Sequence, residues 1–436
     1  ALHAPTALGQ ASAEPEVDAV PEDPTTETTL DGRTTLQRVE VTGRVSDLSF
    51  AESTFSATKT ETAILDLPMS VSAVTKEVIR DQGLHRLNDV TPFVAGANEF
   101  SVYDDITIRG FRSSDDRRVN GMRTYNSFWS QPSVAHLERV EVIKGPAAAT
   151  FGSASPGGVI NLVTKKPLAQ PRRELTLALG EYQHRYGALD LTGPLTASGN
   201  LLYRLNAALE DSDSFREQIG FQTRTLAPSF TLLPREGTRV NLDMVWTDAE
   251  SILDRGQPNV RGADTLGLVP ISVSLTQPGD VLDTTSVSTH LTVEQALGAD
   301  WTVVGSHMAY RYEETLREHR IDRYLSDTLI ELMYIGRESD ADADTTSVYL
   351  NGYFETGPVL HNLVLGVDHA ERTEGQVDRS ARGVATFDVL APEYLTREVG
   401  SYPLAESSWS PYATGLRTTG YYLQDQMSFG DWQVLL

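Results

Sequence analysis

The sequence predicts a small α+β domain followed by the strands of a transmembrane antiparallel β-barrel. Three observations support this fold class: short apolar runs separated by glycines in residues 61–168, alternating apolar and polar residues from 169 onwards, and tight turns that alternate with long polar loops. Alternating segments of about ten residues are typical of membrane-spanning strands, which have one apolar face and one polar face.

Composition limits the classes of protein. The 436 residues include 36 Lys and Arg against 60 Asp and Glu, a formal net charge of −24. This balance argues against a nucleic-acid partner, because neutralising phosphates needs clustered cations. The absence of cysteine from the sequence excludes disulfides, a thiolate nucleophile and cysteine-built metal sites.

The first 35 residues are an acidic lead. Six acids, three prolines and no base lie between Glu14 and Leu30. Such a segment cannot bury enough apolar surface to offset its ordering entropy, so we expect disorder. Leu36 to Gly43 (LQRVEVTG) is a short β-prone stretch. It is either an ordinary first strand or an extended peptide that pairs with the edge of a partner's sheet.

Residues 61–168 show the short elements of the α+β domain. The pattern predicts a helix over Lys76–Gln82 that turns at Gly83 and a helical turn over Leu87–Val90 that ends before Pro92. Strands are predicted at Val71–Val74, Ile106–Arg109, Arg118–Val119, Val140–Ile143 and Val159–Val163.

About ten segments after residue 169 alternate. They are residues 174–179, 183–193, 201–210, 223–233, 239–247, 287–294, 301–312, 344–355, 360–370 and 418–429. A soluble β-sandwich also alternates, but its strands usually run about 5–6 residues. The longer segments, the contrast of tight turns (233–237, 296–300) with long loops (251–281, 371–415), and aromatics near strand ends favour the membrane barrel.

Three segments carry a family resemblance: Ile108 to Phe111 (IRGF), Asn120 to Arg123 (NGMR), and Leu137 to Pro167 (LERVEVIKGPAAATFGSASPGGVINLVTKKP). Together they strongly resemble the plug of TonB-dependent siderophore receptors. The segment Val39, Glu40, Val41, Thr42 and Gly43 resembles that family's TonB box, and the terminal YYLQDQMSFGDWQVLL resembles a strand pair of its barrel. The resemblance covers residues 36–436, with Asn120 where the family usually has Asp.

The resemblance implies an architecture. An α+β plug domain (61–168) would lie inside a transmembrane antiparallel β-barrel, preceded by the disordered acidic lead (1–35) and a TonB-box segment and linker (36–60). The family's barrel has 22 strands, and only about 10–11 fit in residues 169–436. We therefore expect this sequence to be an N-terminal fragment of a longer receptor.

The resemblance also implies a function. The protein would be a monomeric receptor in the outer membrane of a Gram-negative bacterium, in contact with membrane lipid. It would bind a ferric siderophore and import it with energy from TonB and the inner-membrane partners of TonB. It would need no cofactor or metal ligands of its own, because the siderophore holds the iron. Alternatives are a receptor for haem, cobalamin or another chelate, and a non-transporting signalling or adhesion barrel.

We expect no enzyme activity. An outer-membrane hydrolase is the best enzyme alternative, but no Ser/His/Asp grouping in the sequence supports it. The segment Gly152 to Gly158 lacks the Gly-Lys-Ser/Thr ending of a phosphate-binding loop.

The predicted ligand site lies in three irregular segments of the domain: Asn98–Asp104, Arg112–Arg117 and Thr124–Gln131. We call them the apical loops. Aromatic side chains with a polar group suit a bulky, partly apolar metal chelate. The predicted ligand-binding residues are Trp129, Tyr125, Tyr103, Phe128 and Phe100. Alternatively, Phe128 and Trp129 pack against the barrel wall.

Charged residues alternate with apolar ones in the plug-like strands. We predict that they form ionic contacts with the barrel, because buried charges need partners. These residues are Arg109, Glu138, Arg139, Glu141 and Lys144. The alternative is a solvated charged strand in a free-standing domain.

Overall fold

The computed structural model describes residues 51–113, 117–125, 129, 131–145, 155–258, 267–395, 402, 404–406 and 412–436. The chain divides into two units, Ala1–Val39 and Glu40–Leu436, and every described residue belongs to the second. The predicted acidic lead, the TonB-box residues 39–42 and Phe128 lie outside the described residues.

The N-terminal domain contains short strands and helices. Its strands are β1 (Ser53–Thr54), β2 (Thr62–Ala63), β3 (Ser70–Thr75), β4 (Ala97–Glu99), β5 (Ile106–Ile108), β6 (Phe111–Arg112), β7 (Arg117–Val119), β8 (Met122–Arg123), β9 (Leu137–Lys144) and β10 (Gly158–Thr164). Its helices are α1 (Lys76–Asp81) and the 3₁₀ helices Ile64–Asp66 and Leu87–Phe93.

A five-stranded sheet of order β3-β9-β10-β7-β8 organises this domain. β10 and β7 are parallel and the other neighbours are antiparallel. Its strands bury Val140, Val142 and Ile160 in one apolar core with the helices. Thr75 caps α1 by accepting a hydrogen bond from the Val78 amide at 3.5 Å.

The domain's predicted helix and strands are confirmed, with small shifts at their ends. One boundary is wrong: the helical turn predicted to stop before Pro92 continues to Phe93. The amide of Val94 donates to the Thr91 carbonyl at 3.1 Å and closes the final 3₁₀ turn beyond Pro92.

A twelve-stranded antiparallel sheet follows. Its strands are β11 (Arg172–Leu179), β12 (Arg185–Pro194), β13 (Leu201–Asp213), β14 (Gly220–Arg235), β15 (Thr238–Ser251), β16 (Val281–Leu297), β17 (Trp301–Tyr324), β18 (Leu329–Thr356), β19 (Val359–Asp388), β20 (Ala405–Glu406), β21 (Tyr412–Phe429) and β22 (Trp432–Leu435). Consecutive strands pair from β11 to β19, then β21 and β22, with β20 beside β19. Among the described residues, the sheet is open, with β11 and β22 at its edges.

The ends of the sheet differ in the length of their connections. One end has turns with glycine at positive φ, including Gly237 (72°), Gly298 (79°) and Gly357 (61°), a conformation that strains other residues. At the opposite end, β15 and β19 finish at Ser251 and Asp388, and the next long strands begin only at Val281 and Tyr412. This contrast confirms the predicted tight turns at 233–237 and 296–300 and the predicted long loop after residue 251.

Three strands are much longer than predicted. β17, β18 and β19 have 24, 28 and 30 residues. The loop predicted over 371–415 is strand as far as Asp388. Paired charges such as Arg337 and Asp378, 2.8 Å apart, occupy facing positions in the extension. Apolar alternation cannot reveal strands that are polar on both faces, which explains the wrong boundary.

The sheet buries polar residues and exposes apolar ones. On β13, the residues turned towards the domain include Arg204, Asn206 and Glu210, and all three are buried. The intervening residues are apolar, and Leu209 is 61% exposed. We call these the inner and outer faces. No helix in the described part of the chain is long and apolar enough to cross a membrane.

Candidate functional site

The structure brings the described parts of the three apical loops together. Arg112 pairs with Asp105, and the distance from Arg112 Nε to Asp105 Oδ1 is 3.0 Å. Arg117 pairs with Asp104. Gln131 donates a hydrogen bond to the carbonyl of Val102 at 2.6 Å. These contacts tie segments that are distant in sequence into one end of the domain.

Tyr103 holds this end of the domain against the sheet. Its hydroxyl donates to the Asp254 carbonyl at 2.5 Å, just beyond β15, and its ring packs on Leu253 and Leu316. Burial raises the pKa of Tyr103, so the hydroxyl stays protonated as a donor. Trp129 lies edge-on to Tyr103, with ring centroids 5.2 Å apart. Tyr103 therefore positions Trp129 while its own ring is largely covered.

An arginine side chain stacks on the ring of each of the three other described ligand-binding candidates, Trp129, Tyr125 and Phe100. The guanidinium of Arg255 is 4.4 Å from the Trp129 ring, that of Arg372 is 4.2 Å from Tyr125, and that of Arg112 is 4.8 Å from Phe100. Such stacking is favourable because the aromatic face is electron-rich. Arg255 and Arg372 come from the sheet side, so two of the three contacts cross between domain and sheet.

The inner face of the long strands continues this arginine-rich surface. Glu318 on β17 accepts hydrogen bonds from both Arg255 (2.8 Å) and Arg320. Arg337 on β18 pairs with Asp378 on β19. The sheet beside the apical loops thus carries guanidinium groups that are paired with carboxylates, since Arg372 also pairs with Glu374 on its own strand.

A second concave region is acidic. A groove of about 630 Å³ crosses β16 to β19 and is lined by Asp283, Glu313, Glu338 and Asp340. None of the predicted ligand aromatics lines it. The apical loops, which hold those aromatic side chains, are therefore the better candidate site for a chelate.

The structure corrects the predicted contacts between plug-like charges and the barrel. Among the described residues, the partners shown for these side chains lie in the domain itself: Lys76 for Glu138 (2.5 Å), Glu141 for Arg139 (2.7 Å) and Ser72 for Lys144 (2.8 Å). β9 lies between β3 and β10 inside the domain, so its polar side chains meet residues of the domain.

Glu141 shows how the domain accommodates a buried charge. Thr54 donates a hydrogen bond to its carboxylate at 2.8 Å, and Arg139 pairs with the same oxygen. Burial opposes ionisation, but Arg139 and the hydroxyl donors outweigh it and hold the pKa of Glu141 below its usual range. Arg109, the remaining predicted residue, has a φ of 52° and lies beside Gly145 in the domain.

Other charges connect the domain with the sheet. Lys166 pairs with Asp243 (2.5 Å), Arg86 with Glu210 (3.2 Å), and Lys59 with Asp368 (3.0 Å). Sequence reasoning missed these residues. The available signal was the set of acids at inward positions of alternating strands, such as Glu210 and Asp243.

Asn120, which departs from the family pattern, also reaches the sheet. Its side-chain amide donates to Thr164 at 2.9 Å and lies 3.4 Å from His290 on β16. The Asn120 φ of 49° is left-handed, which asparagine tolerates better than most residues. The position therefore combines a backbone role with a contact across the interface.

Three sheet residues form the surface that binds Lys59: Asp368, Tyr422 and Gly366. Lys59 Nζ donates to Asp368 and, at 2.7 Å, to the hydroxyl of Tyr422, whose ring centroid is 3.9 Å away. A Cβ at Gly366 would lie 2.3 Å from that hydroxyl and 2.7 Å from the Tyr349 Cβ. Only glycine leaves room for Tyr422 at this position. Burial lowers the pKa of Lys59, with Asp368 acting in the opposite direction.

Comparison with known proteins identifies relatives for both parts of the chain. The family model "TonB-dependent Receptor Plug Domain" matches residues 63–159. The chain is 29% identical over 348 residues to the metal-pseudopaline receptor CntO of Pseudomonas aeruginosa UCBPP-PA14, covering 78% of this chain and 49% of that protein. It is 27% identical over 395 residues to the ferrioxamine B receptor of Salmonella typhimurium SL1344, covering 87% and 55%.

The fold has solved counterparts as well. The pyoverdine outer membrane receptor FpvA of Pseudomonas aeruginosa PAO1, bound to pyoverdine, superposes with a TM-score of 0.78 at 20% identity. The match covers 88% of this chain and 58% of that one. The open antiparallel sheet therefore has the fold of part of that protein's barrel, and the N-terminal domain has the fold of its plug. The chain spans about half the length of the curated relatives it matches.

Proposed function

The chain belongs to the TonB-dependent siderophore receptor family, and from that premise we propose that the intact protein binds a ferric siderophore and imports it with energy from TonB. The family consists of outer-membrane receptors of Gram-negative bacteria and not of enzymes. The proposal includes a monomeric receptor without a cofactor, in which the siderophore carries the iron.

One observation carries the ligand-binding part of the proposal: the apical loops bring Trp129 and Tyr125 beside the inner wall of the barrel. Both rings are partly exposed, and the loops that hold them are tied together by ion pairs. Rigid aromatic side chains provide contact area at little entropic cost. Tyr103 is the positioning residue behind Trp129.

Substitution of both aromatics tests this assignment. In the intact receptor, Trp129→Ala with Tyr125→Ala should weaken ferric-siderophore binding by about 1–3 kcal/mol through lost contact area. Binding would be measured by fluorescence titration in detergent. Trp246→Ala with Tyr421→Ala is a matched control, because both rings lie on the outer face. Unchanged affinity in a folded Trp129/Tyr125 variant would assign binding to the barrel loops instead.

Energy coupling has its own test. If residues 39–42 add a strand to TonB, Val41→Pro removes a backbone donor and should abolish uptake while leaving ligand binding intact. Val17→Pro, in the acidic lead, is the control and should leave uptake unchanged. Normal transport by the Val41 variant would refute the TonB-box assignment.

A receptor for a different metal chelate is the second candidate. The observation that favours it is the relative named as a metal-pseudopaline receptor. Competition between ferric and other metal-loaded chelates for the intact receptor distinguishes the two candidates, because only one metal complex should displace bound ligand at low concentration.

A further inference from the structure

Three consecutive residues at the start of the connection after β15 contact the apical loops. Leu253 packs in one apolar cluster with Tyr103, and Trp129 packs against that cluster. The carbonyl of Asp254 accepts the hydrogen bond from the Tyr103 hydroxyl at 2.5 Å. The guanidinium of Arg255 lies 4.4 Å from the centroid of the Trp129 ring. We call Leu253, Asp254 and Arg255 the clamp segment, because each of them contacts an apical loop.

The barrel side holds the clamp segment in place. Thr276, which precedes β16, donates a hydrogen bond from its hydroxyl to the Leu253 carbonyl at 3.1 Å. Arg216, in the connection between β13 and β14, donates to the Asp254 carboxylate at 2.8 Å. That carboxylate also accepts a hydrogen bond from the Gly256 amide at 2.7 Å. The backbone and the side chains of the segment are therefore both fixed by contacts within the protein.

The guanidinium of Arg255 is held in one plane by Glu318. Its Nε and Nη2 atoms donate to the two carboxylate oxygens of Glu318 at 2.8 and 2.5 Å, and that carboxylate is almost completely buried. Such a two-bond pair fixes both the position and the tilt of the guanidinium. Glu318 offsets the charge of Arg255, so the stacking face of the guanidinium is what remains for a role at the site.

Trp129 is contacted on its face by Arg255 and on its edge by Tyr103. The Tyr103 and Trp129 ring centroids are 5.2 Å apart, with an interplanar angle of 78°. Contacts from two directions restrict both side-chain torsions of the tryptophan. A side chain that is already ordered loses little rotamer freedom when a ligand binds, so its contacts contribute more to affinity. The ring is partly exposed, which leaves surface for such a contact.

We infer that Arg255 is a positioning residue, anchored by Glu318, that orients the Trp129 ring for the ligand and does not itself bind the ligand. This inference rests on the proposed function and adds a residue that determines its affinity. The ordering of one side chain corresponds to a change in affinity of about threefold to tenfold. Tyr103 and Arg255 then act together on Trp129, one from the domain and one from the barrel side.

A double-mutant cycle on the intact receptor in detergent tests whether Arg255 acts through Trp129. The probe is whichever of a ferric trihydroxamate, a ferric tris-catecholate and ferric citrate binds the wild-type receptor most tightly. Arg255→Ala should weaken its binding by about threefold or more, whereas the same substitution in a Trp129→Ala background should add less than about 1.5-fold. An equal loss in both backgrounds would overturn the inference, because Arg255 would then act independently of Trp129.

The orientation of Trp129 can also be followed without a ligand. Fluorine NMR of receptor labelled with 5-fluorotryptophan gives one resonance for each ordered tryptophan, and Trp129→Phe identifies the resonance of Trp129. Arg255→Ala should broaden or split this resonance, and Arg255→Lys should do so less, because lysine retains the pair with Glu318. One sharp Trp129 resonance in folded Arg255→Ala receptor would overturn the inference.

The Arg255 substitution does not leave a buried carboxylate alone, because Arg320 also pairs with Glu318. Arg311→Ala is the matched control, since Arg311 lies on the same strand as Glu318, pairs with Asp342 on β18 and is exposed. It should change neither the affinity nor the Trp129 resonance. If none of the three probes binds, the proposed function fails, and the fluorine spectra still decide the positioning role.

Discussion

The central sheet of the plug and the early strands of the barrel sheet place their apolar side chains differently. In the plug, Val140, Ile143 and Ile160 are almost completely inaccessible. In the sheet, the residues with comparable burial include Arg204 and Asp243, while leucines occupy the outer face. The plug's central sheet follows the rule for proteins in water, and strands such as β13 reverse it because their outer face meets lipid.

This contrast separates two sources of stability. The plug depends on tight apolar packing, so a missing methyl group leaves a cavity. The sheet depends on complete strand pairing, on lipid contact outside and on satisfied polar groups inside. The same type of substitution should therefore have different effects in the two regions.

The largest expected effect is in the plug core. Leu137→Ala removes a fully buried side chain and should destabilise the plug by about 2–5 kcal/mol. Hydrogen exchange of β9 and β10 amides in the intact protein should become at least tenfold faster. Leu209→Ala, on the outer face of β13, should leave the exchange of those amides unchanged. Similar effects of the two variants would contradict the contrast.

A charge on the lipid-facing side should cost nearly as much. Leu291→Arg, on the outer face of β16, should destabilise the folded barrel by about 2–4 kcal/mol if that position lies near the bilayer midplane. Urea unfolding in lipid vesicles measures this loss. Leu268→Arg, in the long connection after β15 where Leu268 is exposed, should be neutral. A neutral result for Leu291→Arg would mean that this face does not meet lipid.

Acid should weaken the plug through His136. Burial lowers the pKa of His136 to about 4, with the positive charge of Lys165 adding to the effect. The unfolded state then binds a proton that the folded state does not, so stability falls as pH drops from about 6.5 to 4. The contribution is at most about 3 kcal/mol. His136→Asn should flatten this part of the pH profile of urea unfolding, and an unchanged profile for the folded variant would contradict the assignment to His136.

Loss of the Lys59 contact should act locally. Lys59→Met removes an ion pair and a hydrogen bond, and should loosen residues 51–63 by about 1–2 kcal/mol. Faster hydrogen exchange confined to this segment is the expected observation. In an Asp368→Asn background the same substitution should add little, because its partner is already neutral. Full additivity would show that the two side chains are not coupled.

The smallest effect should come from an exposed ion pair. Arg311 and Asp342 are 2.9 Å apart, and both side chains are largely exposed. Solvent and salt screen such pairs, so Arg311→Gln should leave the urea unfolding curve unchanged. A clear loss of stability would show that the outer charges matter more than their exposure indicates.

Sequence patterns predicted the plug elements and the parts of the barrel strands that have one apolar face, because that face produces the periodicity. They did not predict the extensions of β17 to β19, where Arg337 and Asp378 alternate with other polar residues. Pattern also cannot choose a partner: Glu141 was expected to reach the barrel, yet Arg139 is two residues away on the same strand.

The candidate site was predictable only in part. The apical loops were located from their aromatic content, and the structure brings their described parts together. Arg255 and Arg372 could not be assigned to that site from sequence, because they are more than 100 residues from Trp129. Their proximity depends on the register of the barrel strands, which no local motif encodes.

The hairpin of β1 and β2 determines how a mechanical load would enter the plug. A pull on the chain before residue 51 would reach the Lys59 contact and the Gln424 and Gln426 contacts to Thr58 and Thr62 early. These links are spaced along one short hairpin, so they would rupture in succession at modest force. The seven-residue pairing of β9 with β10 would resist shear as a unit. The hairpin should therefore peel from the wall before the plug's central sheet loses a strand.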